Sequence, residues 1–202
     1  MPELSKKPLI LLLISVTPFF KKSKTTSVQV IVNTKKVYDT LDQLAAAIAA
    51  ANPDFSSTVM VGIQQGGALV SQYLYELLLK NNPHASSLEH GKLDITFYRD
   101  DVRNKILAPD PMHLPFSIEG KTVILVDDVL FTGRTIKAAL DSLFDYGRPE
   151  RVQLCVLVDR KEHRQFPIQP DYTGITIPSN RTDKLKMVIT QDNEPQVVLF
   201  IP

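Results

Sequence analysis

The fold is decided by residues 123–135, which read VILVDDVLFTGRT. Residues 121–126, of which the last four are apolar, predict a buried strand, two acids stand at its C-terminal end, and Thr132 then begins a turn into a helix. In open α/β sheets ligands bind beyond the carboxyl ends of the strands, and a helix N-terminus offers unpaired N–H groups and a positive dipole end. The stretch therefore predicts a phosphate site at one edge of a sheet.

The polar residues of this stretch each have a chemical use. Gly133 lets the backbone approach a phosphate, and the hydroxyls of Thr132 and Thr135 donate hydrogen bonds without adding charge. The carboxylates of Asp127 and Asp128 accept hydrogen bonds from vicinal sugar hydroxyls or hold the waters of a hydrated Mg²⁺. Paired acids before a turn also occur as solvated residues or helix caps, so the acid pair alone leaves these interpretations open.

The chain before this stretch reads as helix, strand, turn and helix. Residues 40–43 have the form of a capping box, and the apolar spacing after them predicts a helix to about residue 51. A β-branched run predicts a buried strand at 57–62, and two glutamines and two glycines at 64–67 predict a turn. An apolar stripe from Val70 predicts a second helix that ends near residue 81.

The remaining pattern completes an α/β chain. Alternating residues predict a strand at 93–98, and the aperiodic stretch 99–120, with three prolines, predicts a long loop of the functional or disordered kind. A helical stripe begins at Ile136, and residues 152–158 predict the next strand, so strand, helix and strand imply a right-handed crossover in a parallel sheet. Two later strands are predicted at 186–190 and 196–201.

Length and composition favour one ordinary domain. A chain of 202 residues buries a full core without disulfides or structural metal. The formal net charge of +1 gives no support to a nucleic-acid coat or a membrane-surface binder. The single cysteine, Cys155, stands in an apolar run, which favours a core position and a reducing, cytoplasmic compartment.

The N-terminal segment imitates a secretory signal incompletely. Lys6 and Lys7 precede the apolar run 8–16, but no small-residue cleavage site follows, and the run is too short to span a bilayer as a helix. We therefore expect residues 1–26 to be an extension outside the fold and residues 27–202 to form a single domain.

The whole stretch 123–135 resembles the signature with which type I phosphoribosyltransferases bind phosphoribosyl pyrophosphate (PRPP). Other segments are similar to the pyrimidine operon regulatory protein/uracil phosphoribosyltransferase family, and the resemblance covers about residues 37–190. It rests on segments 61–63, 94–101, 147–149, 156–160, 163–164, 171–172 and 177–178. The resemblance implies a Rossmann-like parallel sheet with a small hood and a flexible loop over the active site.

The resemblance also implies roles for individual residues. Asp127, Asp128 and Arg99 would be catalytic, with Arg99 approaching the departing pyrophosphate. Uracil would lie near Val158, Asp159, Arg160 and Leu185. The residues that would bind PRPP are Gln65, Gly66, Gly67, Asp127, Asp128, Val129, Leu130, Phe131, Thr132, Gly133, Arg134 and Thr135.

The implied reaction displaces pyrophosphate from PRPP by a nitrogen of uracil and gives uridine monophosphate (UMP). Mg²⁺ would accompany PRPP, with Asp127 and Asp128 contacting it through water. The resemblance further implies a homodimer or higher homo-oligomer and no membrane partner.

Two departures from the family pattern affect this expectation. The pyrophosphate loop usually reads Thr-Arg-Gly, whereas Gln65, Gly66 and Gly67 stand here, so a positive charge is missing. Family regulators bind messenger RNA through basic residues, and two of those positions are Gln169 and Ile175 here. Loss of basic contacts weakens RNA binding, so the sequence favours an enzyme.

Two alternatives remain open. The first is an RNA-binding attenuator of pyrimidine operon transcription that responds to uridine nucleotides, which the retained Arg164 supports. The second is a purine phosphoribosyltransferase, which the glycine-rich loop permits but residues 159–163 and 171–172 disfavour.

Overall fold

The computed structural model describes residues 27–95 and 114–201, which form a parallel sheet flanked by helices and a smaller antiparallel sheet. Short 3-10 turns occur at Phe55–Ser57, Pro83–Ser87 and Lys161–His163. The strands and helices, in chain order, are β1 Ser27–Val32, α1 Thr34–Ala51, β2 Thr58–Ile63, α2 Gly66–Asn81, β3 Glu89–Leu93, β4 Thr122–Leu130, α3 Arg134–Leu143, β5 Arg151–Asp159, β6 Tyr172–Thr176, β7 Lys184–Ile189 and β8 Pro195–Ile201.

The larger sheet has the order β3-β2-β4-β5-β6, and all its neighbouring strands are parallel. Side chains of β4 alternate between two cores: Ile124 packs with α1 and α2, and Leu125 packs with α3. Both are fully buried, and full burial of such a side chain stabilises the fold by about 1.5–3 kcal/mol. The predicted α/β class and parallel sheet are confirmed.

The smaller sheet, which we call the hood, has the antiparallel order β1-β8-β7. Leu185 and Met187 of β7 and Val197 of β8 are buried in the same core as α1. The backbone N–H of Met187 also donates to the Asp128 carboxylate of β4, over 3.0 Å. The hood is therefore fixed beside the C-terminal end of the central strand.

The first helix begins earlier than the capping box predicted. Its cap is Asn33, whose side chain accepts a hydrogen bond from the Lys36 N–H over 2.9 Å. The hydroxyl of Thr40 donates to the Lys36 carbonyl inside the helix, so Thr40 does not cap it. Because Val37 is fully buried, the apolar face extends one turn further towards the N-terminus than the pattern indicated.

The strand predicted at 93–98 is wrong in its position. Strand β3 ends at Leu93, because its partner β2 ends at Ile63, which pairs with Leu93. The Gln64 N–H then donates to the Leu93 carbonyl over 2.9 Å as the chain turns. Residues 96–98 and most of the predicted loop 99–120 lie outside the described residues.

Strand β4 is longer than the predicted 121–126, so the two acids lie within it and not after it. Pairing with β2 ends at Gly62 and Val126, but pairing with β5 continues to Leu130 and Asp159. Asp127 and Asp128 therefore extend past β2 while β5 still supports them. Strands β1 and β6 were not predicted.

No helix among residues 27–95 and 114–201 combines the length and apolar character needed to cross a bilayer.

Candidate active site

A cleft of about 730 Å³ lies between the C-terminal end of β4 and the hood. One wall comes from the loop before α2, β4 and the start of α3, and the other comes from Arg160 and residues 181–187. Its lining residues are Gln64, Gln65, Gly66, Leu69, Ile95, Asp127, Asp128, Val129, Phe131, Thr135, Arg160, Arg181, Thr182, Asp183, Lys184, Leu185, Lys186 and Met187. The glycine turn at 64–66, Thr135 at the start of α3 and the acid pair thus meet in one cleft.

The acid pair is held in place by backbone hydrogen bonds. The Asp128 N–H donates to the Asp127 carboxylate over 3.0 Å, and the Met187 N–H donates to Asp128 over the same distance. Burial raises the pKa of the Asp128 carboxyl, although the Met187 hydrogen bond opposes this shift. A half-buried carboxylate with remaining acceptor positions suits the hydroxyls of a sugar.

The glycine loop lies directly against the acid pair. A Cβ added to Gly66 would come within 2.3 Å of the Asp128 carboxyl carbon, and one on Gly67 within 2.3 Å of the Val126 carbonyl oxygen. Only glycine permits this approach. Helix α2 begins here without a side-chain cap at Gln65, so its first N–H groups have no side-chain partner at that position.

The start of α3 provides the second candidate anion site. Gly133 stands at the cap of this helix with a φ of +91°, a left-handed conformation that favours glycine, and the Arg134 N–H donates to the Thr132 hydroxyl over a long 3.4 Å. Thr135 lines the cleft, and the Thr132 carbonyl accepts the Gln165 N–H over 2.9 Å. Thr132, Gly133 and Arg134 are not among the cleft-lining residues, and neither are Gly67 and the buried Leu130.

Arg160 lines the cleft but is not a surface arginine, since only 2% of it is exposed. Its guanidinium donates to the Ser179 hydroxyl over 2.6 Å, the Asn180 carbonyl over 2.6 Å and the Asp183 carbonyl over 2.9 Å. It also lies 3.9 Å from the centre of the Phe131 ring. Burial lowers its pKa, while Asp183 opposes the shift. Arg160 therefore joins the signature stretch to the turn before β7.

The other predicted base-binding residues separate into two groups. Leu185 lines the cleft, whereas Val158 is fully buried in the core. The Asp159 side chain forms an ion pair with Arg164, and both line a second cleft of about 400 Å³. The structure therefore brings Arg160 and Leu185 to the cleft but turns the Asp159 carboxylate towards Arg164. The predicted Arg99 lies outside the described residues.

Several cleft residues were missed by sequence reasoning, namely Arg181, Thr182, Lys184 and Lys186. The sequence signal available for them was the presence of three basic residues among positions 181–186. These basic residues stand at no characteristic distance from residues 123–135 in the sequence, and the pairing of β7 with β8 brings them to the cleft.

The donor set fits a metal that arrives with its ligand. Among residues 27–95 and 114–201, no group of three or more His, Cys, Asp or Glu side chains is placed to hold a metal ion. Asp127 and Asp128 offer two neighbouring carboxylates at the cleft, while Asp183, the third acid of its lining, lies on the other wall. Mg²⁺ commonly keeps several waters and takes its other oxygens from a phosphorylated ligand, so two carboxylates fit a water-mediated contact.

Known proteins match this chain in sequence. The family of phosphoribosyl transferase domains matches residues 27–190. The bifunctional protein PyrR of Geobacter sp. strain M21 is 43% identical over 173 residues, which cover 85% of this chain and 96% of that protein. The chain belongs to the phosphoribosyltransferase family. The bifunctional protein PyrR of Nostoc punctiforme is 42% identical over 160 residues, which cover 79% of this chain and 88% of that protein. The predicted resemblance to the pyrimidine operon regulatory protein family is confirmed.

Solved phosphoribosyltransferases share the fold at lower sequence identity. A hypoxanthine phosphoribosyltransferase from Trypanosoma cruzi has a TM-score of 0.65 at 17% identity, with 90% of this chain and 95% of that chain covered. The hypoxanthine phosphoribosyltransferase of Staphylococcus aureus has a TM-score of 0.59 at 20% identity, with 77% and 79% covered. These likenesses confirm the predicted type I phosphoribosyltransferase fold.

Proposed function

We propose that this chain transfers the 5-phosphoribosyl group of PRPP to uracil and produces UMP and pyrophosphate. The observation that carries this proposal is the meeting of the acid pair, the glycine loop and the start of α3 at one cleft. The relatives named bifunctional protein PyrR, which match most of the chain, support a phosphoribosyltransferase of pyrimidine metabolism.

Each part of PRPP has a matching part of the cleft. The N-terminus of α3 and the Thr135 hydroxyl suit the 5′-phosphate, because N–H groups and a helix dipole favour an anion. The carboxylates of Asp127 and Asp128 suit the ribose hydroxyls. The glycine loop suits the pyrophosphate, and the base would lie beside Leu185 and Arg160, the two predicted base-binding residues that line the cleft.

The transfer requires positioning and charge stabilisation more than covalent catalysis. The bond between the anomeric carbon and pyrophosphate breaks, a bond to the base nitrogen forms, and the proton of that nitrogen passes to water or to the departing pyrophosphate. Asp128, which lies beside the glycine loop and accepts the Met187 N–H, would hold the ribose as positive charge develops. When bound with PRPP, Mg²⁺ supplies charge neutralisation for the departing pyrophosphate.

An RNA-binding role is a weaker candidate for this chain. Its support was Arg164, but this guanidinium donates to the Phe131 carbonyl over 2.5 Å and pairs with Asp159. Only 17% of the Arg164 side chain is exposed, so little of its charge faces solvent. We therefore expect weak binding of a pyrimidine-operon leader RNA at physiological salt, measured by a gel shift over a salt series.

A panel of bases tests the proposal. Purified protein with PRPP and Mg²⁺ is mixed separately with uracil, hypoxanthine, guanine and orotate, and nucleotide and pyrophosphate are measured. We expect UMP and pyrophosphate from uracil and no nucleotide from the other three bases. Nucleotide from hypoxanthine or guanine alone would instead support the purine enzyme. No nucleotide from any of the four bases, together with binding of the leader RNA, would support the attenuator.

The extent of the active domain and its assembly are also proposed. We expect residues 27–202 to retain full turnover after removal of residues 1–26, and the protein to be a homodimer or higher homo-oligomer. Turnover of the shortened chain checks the first point, and light scattering behind a sizing column checks the second.

A further inference from the structure

The charged residues of the cleft are divided unevenly between its two walls. The wall formed by β4 and the glycine loop contributes two carboxylates and the uncharged Gln64, Gln65 and Gly66. All the cations that line the cleft within residues 27–95 and 114–201 come from the other wall. They are Arg160, Arg181, Lys184 and Lys186.

Arg160 is committed to the fold. Its guanidinium makes three hydrogen bonds to residues 179–183 and stacks on Phe131, so few of its donors remain for a ligand. The one acid on this wall, Asp183, accepts the Asn180 N–H over 2.8 Å and so closes its own turn. These hydrogen bonds hold the backbone of the turn, while its other side chains line the cleft.

The remaining three cations have no partner within the described part of the chain. Arg181, Lys184 and Lys186 are exposed and make no hydrogen bond or ion pair with a described residue. Lys184 and Lys186 are two positions apart on β7 and therefore lie on the same face, about 6–7 Å apart along the strand. Three unpaired like charges repel one another, and an anion between them relieves that repulsion.

We propose that Arg181, Lys184 and Lys186 bind the pyrophosphate group of PRPP and of the product. This inference rests on the proposed function. The 5′-phosphate has its own site at α3, the ribose faces two carboxylates, and uracil is neutral. The pyrophosphate, whose negative charge one Mg²⁺ would balance only in part, is therefore the group left for these three cations. The glycine loop offers this group neutral N–H donors on one wall, and the hood supplies the positive charge on the other.

The test removes the three cations together as Arg181→Gln, Lys184→Gln and Lys186→Gln. Binding of inorganic pyrophosphate in the presence of Mg²⁺ is measured by calorimetry, and the KM values for PRPP and uracil are measured in parallel. We expect the dissociation constant of pyrophosphate and the KM for PRPP to rise by at least about tenfold, because each charge-assisted contact has an effect of this order. The KM for uracil should stay unchanged.

A matched control removes the same charge elsewhere, as Lys36→Gln, Lys80→Gln and Lys92→Gln. These three lysines are exposed and lie outside the cleft lining, so pyrophosphate binding should stay at the wild-type value. The triple variant Arg181→Gln, Lys184→Gln and Lys186→Gln is called the hood variant. Adding Gln65→Arg to it should restore pyrophosphate affinity, since this change returns a cation to the opposite wall. If the triple substitution weakened binding only by disturbing the structure of the hood, Gln65→Arg would not restore pyrophosphate affinity.

Equal pyrophosphate affinity in the hood variant and the control would overturn the inference. Because binding of pyrophosphate is measured without turnover, this failure is distinct from failure of the proposed function. Absence of UMP formation in the wild-type protein would instead reject the function. Melting temperatures of all variants show whether each remains folded during the binding measurement.

Discussion

The two walls of the cleft differ in how they are built. The wall of Asp127, Asp128 and Thr135 comes from one continuous stretch, and the strand beneath it is buried on both faces. The other wall, which we call the hood wall, comes from Arg160 and residues 181–187, and residues 184–187 of it belong to β7 of the antiparallel sheet. In the proposed function the first wall would hold the sugar phosphate on a buried parallel strand, whereas the second wall lies largely on the edge strand β7.

Two contacts connect the walls. The Met187 N–H donates to the Asp128 carboxylate, and the Arg160 guanidinium lies between Phe131 and the turn at 179–183. Because the first wall would hold the ribose, we expect changes there to reduce turnover. Because the second wall would contact the base and the pyrophosphate and is held by Arg160, we expect changes there to alter ligand affinity and stability.

The largest expected effect is that of Asp128→Asn. Loss of the negative charge beside the ribose should lower kcat by about a hundredfold or more. Steady-state UMP formation measures this loss. The control is Asp141→Asn, an exposed residue of α3 that pairs with Lys137. Near-normal turnover of the Asp128 variant would remove this carboxylate from the mechanism.

The next effect is that of Gly66→Ala. The new methyl group has to displace either the loop or the Asp128 carboxyl, which lies 2.3 Å from its ideal position. We expect kcat/KM for PRPP to fall by at least about tenfold. In the control, Gly120→Ala, the methyl meets nothing within 4 Å, but φ is +64°. That variant should lose about 1 kcal/mol of stability and keep its activity.

A change in the hood wall should act on stability and base affinity. Arg160→Lys loses the planar fork that bonds three groups of the 179–183 turn. We expect the free energy of unfolding to fall by about 2 kcal/mol and the KM for uracil to rise. Urea denaturation and a uracil titration measure these effects. The exposed Arg151, changed to Lys, should show neither.

A smaller effect concerns pH. Burial raises the pKa of Asp128 above its ordinary value of 3.8, so the folded state favours the protonated form. Its contribution to stability is present below pH 3.8 and is lost as the pH rises through the folded-state pKa. Asp128→Asn should remove this loss and melt at a higher temperature than the wild type at pH 7. Equal melting temperatures from pH 4 to pH 7 would contradict the assignment.

The smallest effect is expected at Cys155. Burial raises the pKa of its thiol to about 12, so almost no thiolate forms at neutral pH. Iodoacetamide should not label the native protein, as mass spectrometry can show. Cys155→Ala should leave turnover unchanged and cost about 1 kcal/mol of stability. Rapid labelling with loss of activity would contradict a core role.

The sequence predicted the first wall because its pattern is local. A buried apolar strand, an acid pair and a glycine turn follow one another within 123–135. This order can be recognised without knowing which distant segments pack against the stretch. The second helix was equally clear, since its stripe follows the glycine turn directly. The family resemblance then supplied the activity, which the matching relatives support.

The hood wall was predictable only in part, because its position depends on pairing between distant segments. Strand β1 pairs with β8 across the whole chain, and no local signal marks that partner. Arg160 stands in sequence after a strand end, and only the fold brings the turn at 179–183 to its guanidinium. The Asp159 carboxylate is directed to Arg164 by a contact that residue types alone do not specify.

The most direct measurement is the stoichiometry of product formation by the wild-type protein and by Asp128→Asn under identical conditions. With PRPP, uracil and Mg²⁺, the wild-type protein should form UMP and pyrophosphate in equal amounts, and the variant should be slower by about a hundredfold or more. Pyrophosphate release without UMP, or equal rates in both proteins, would contradict a uracil phosphoribosyltransferase centred on this acid pair.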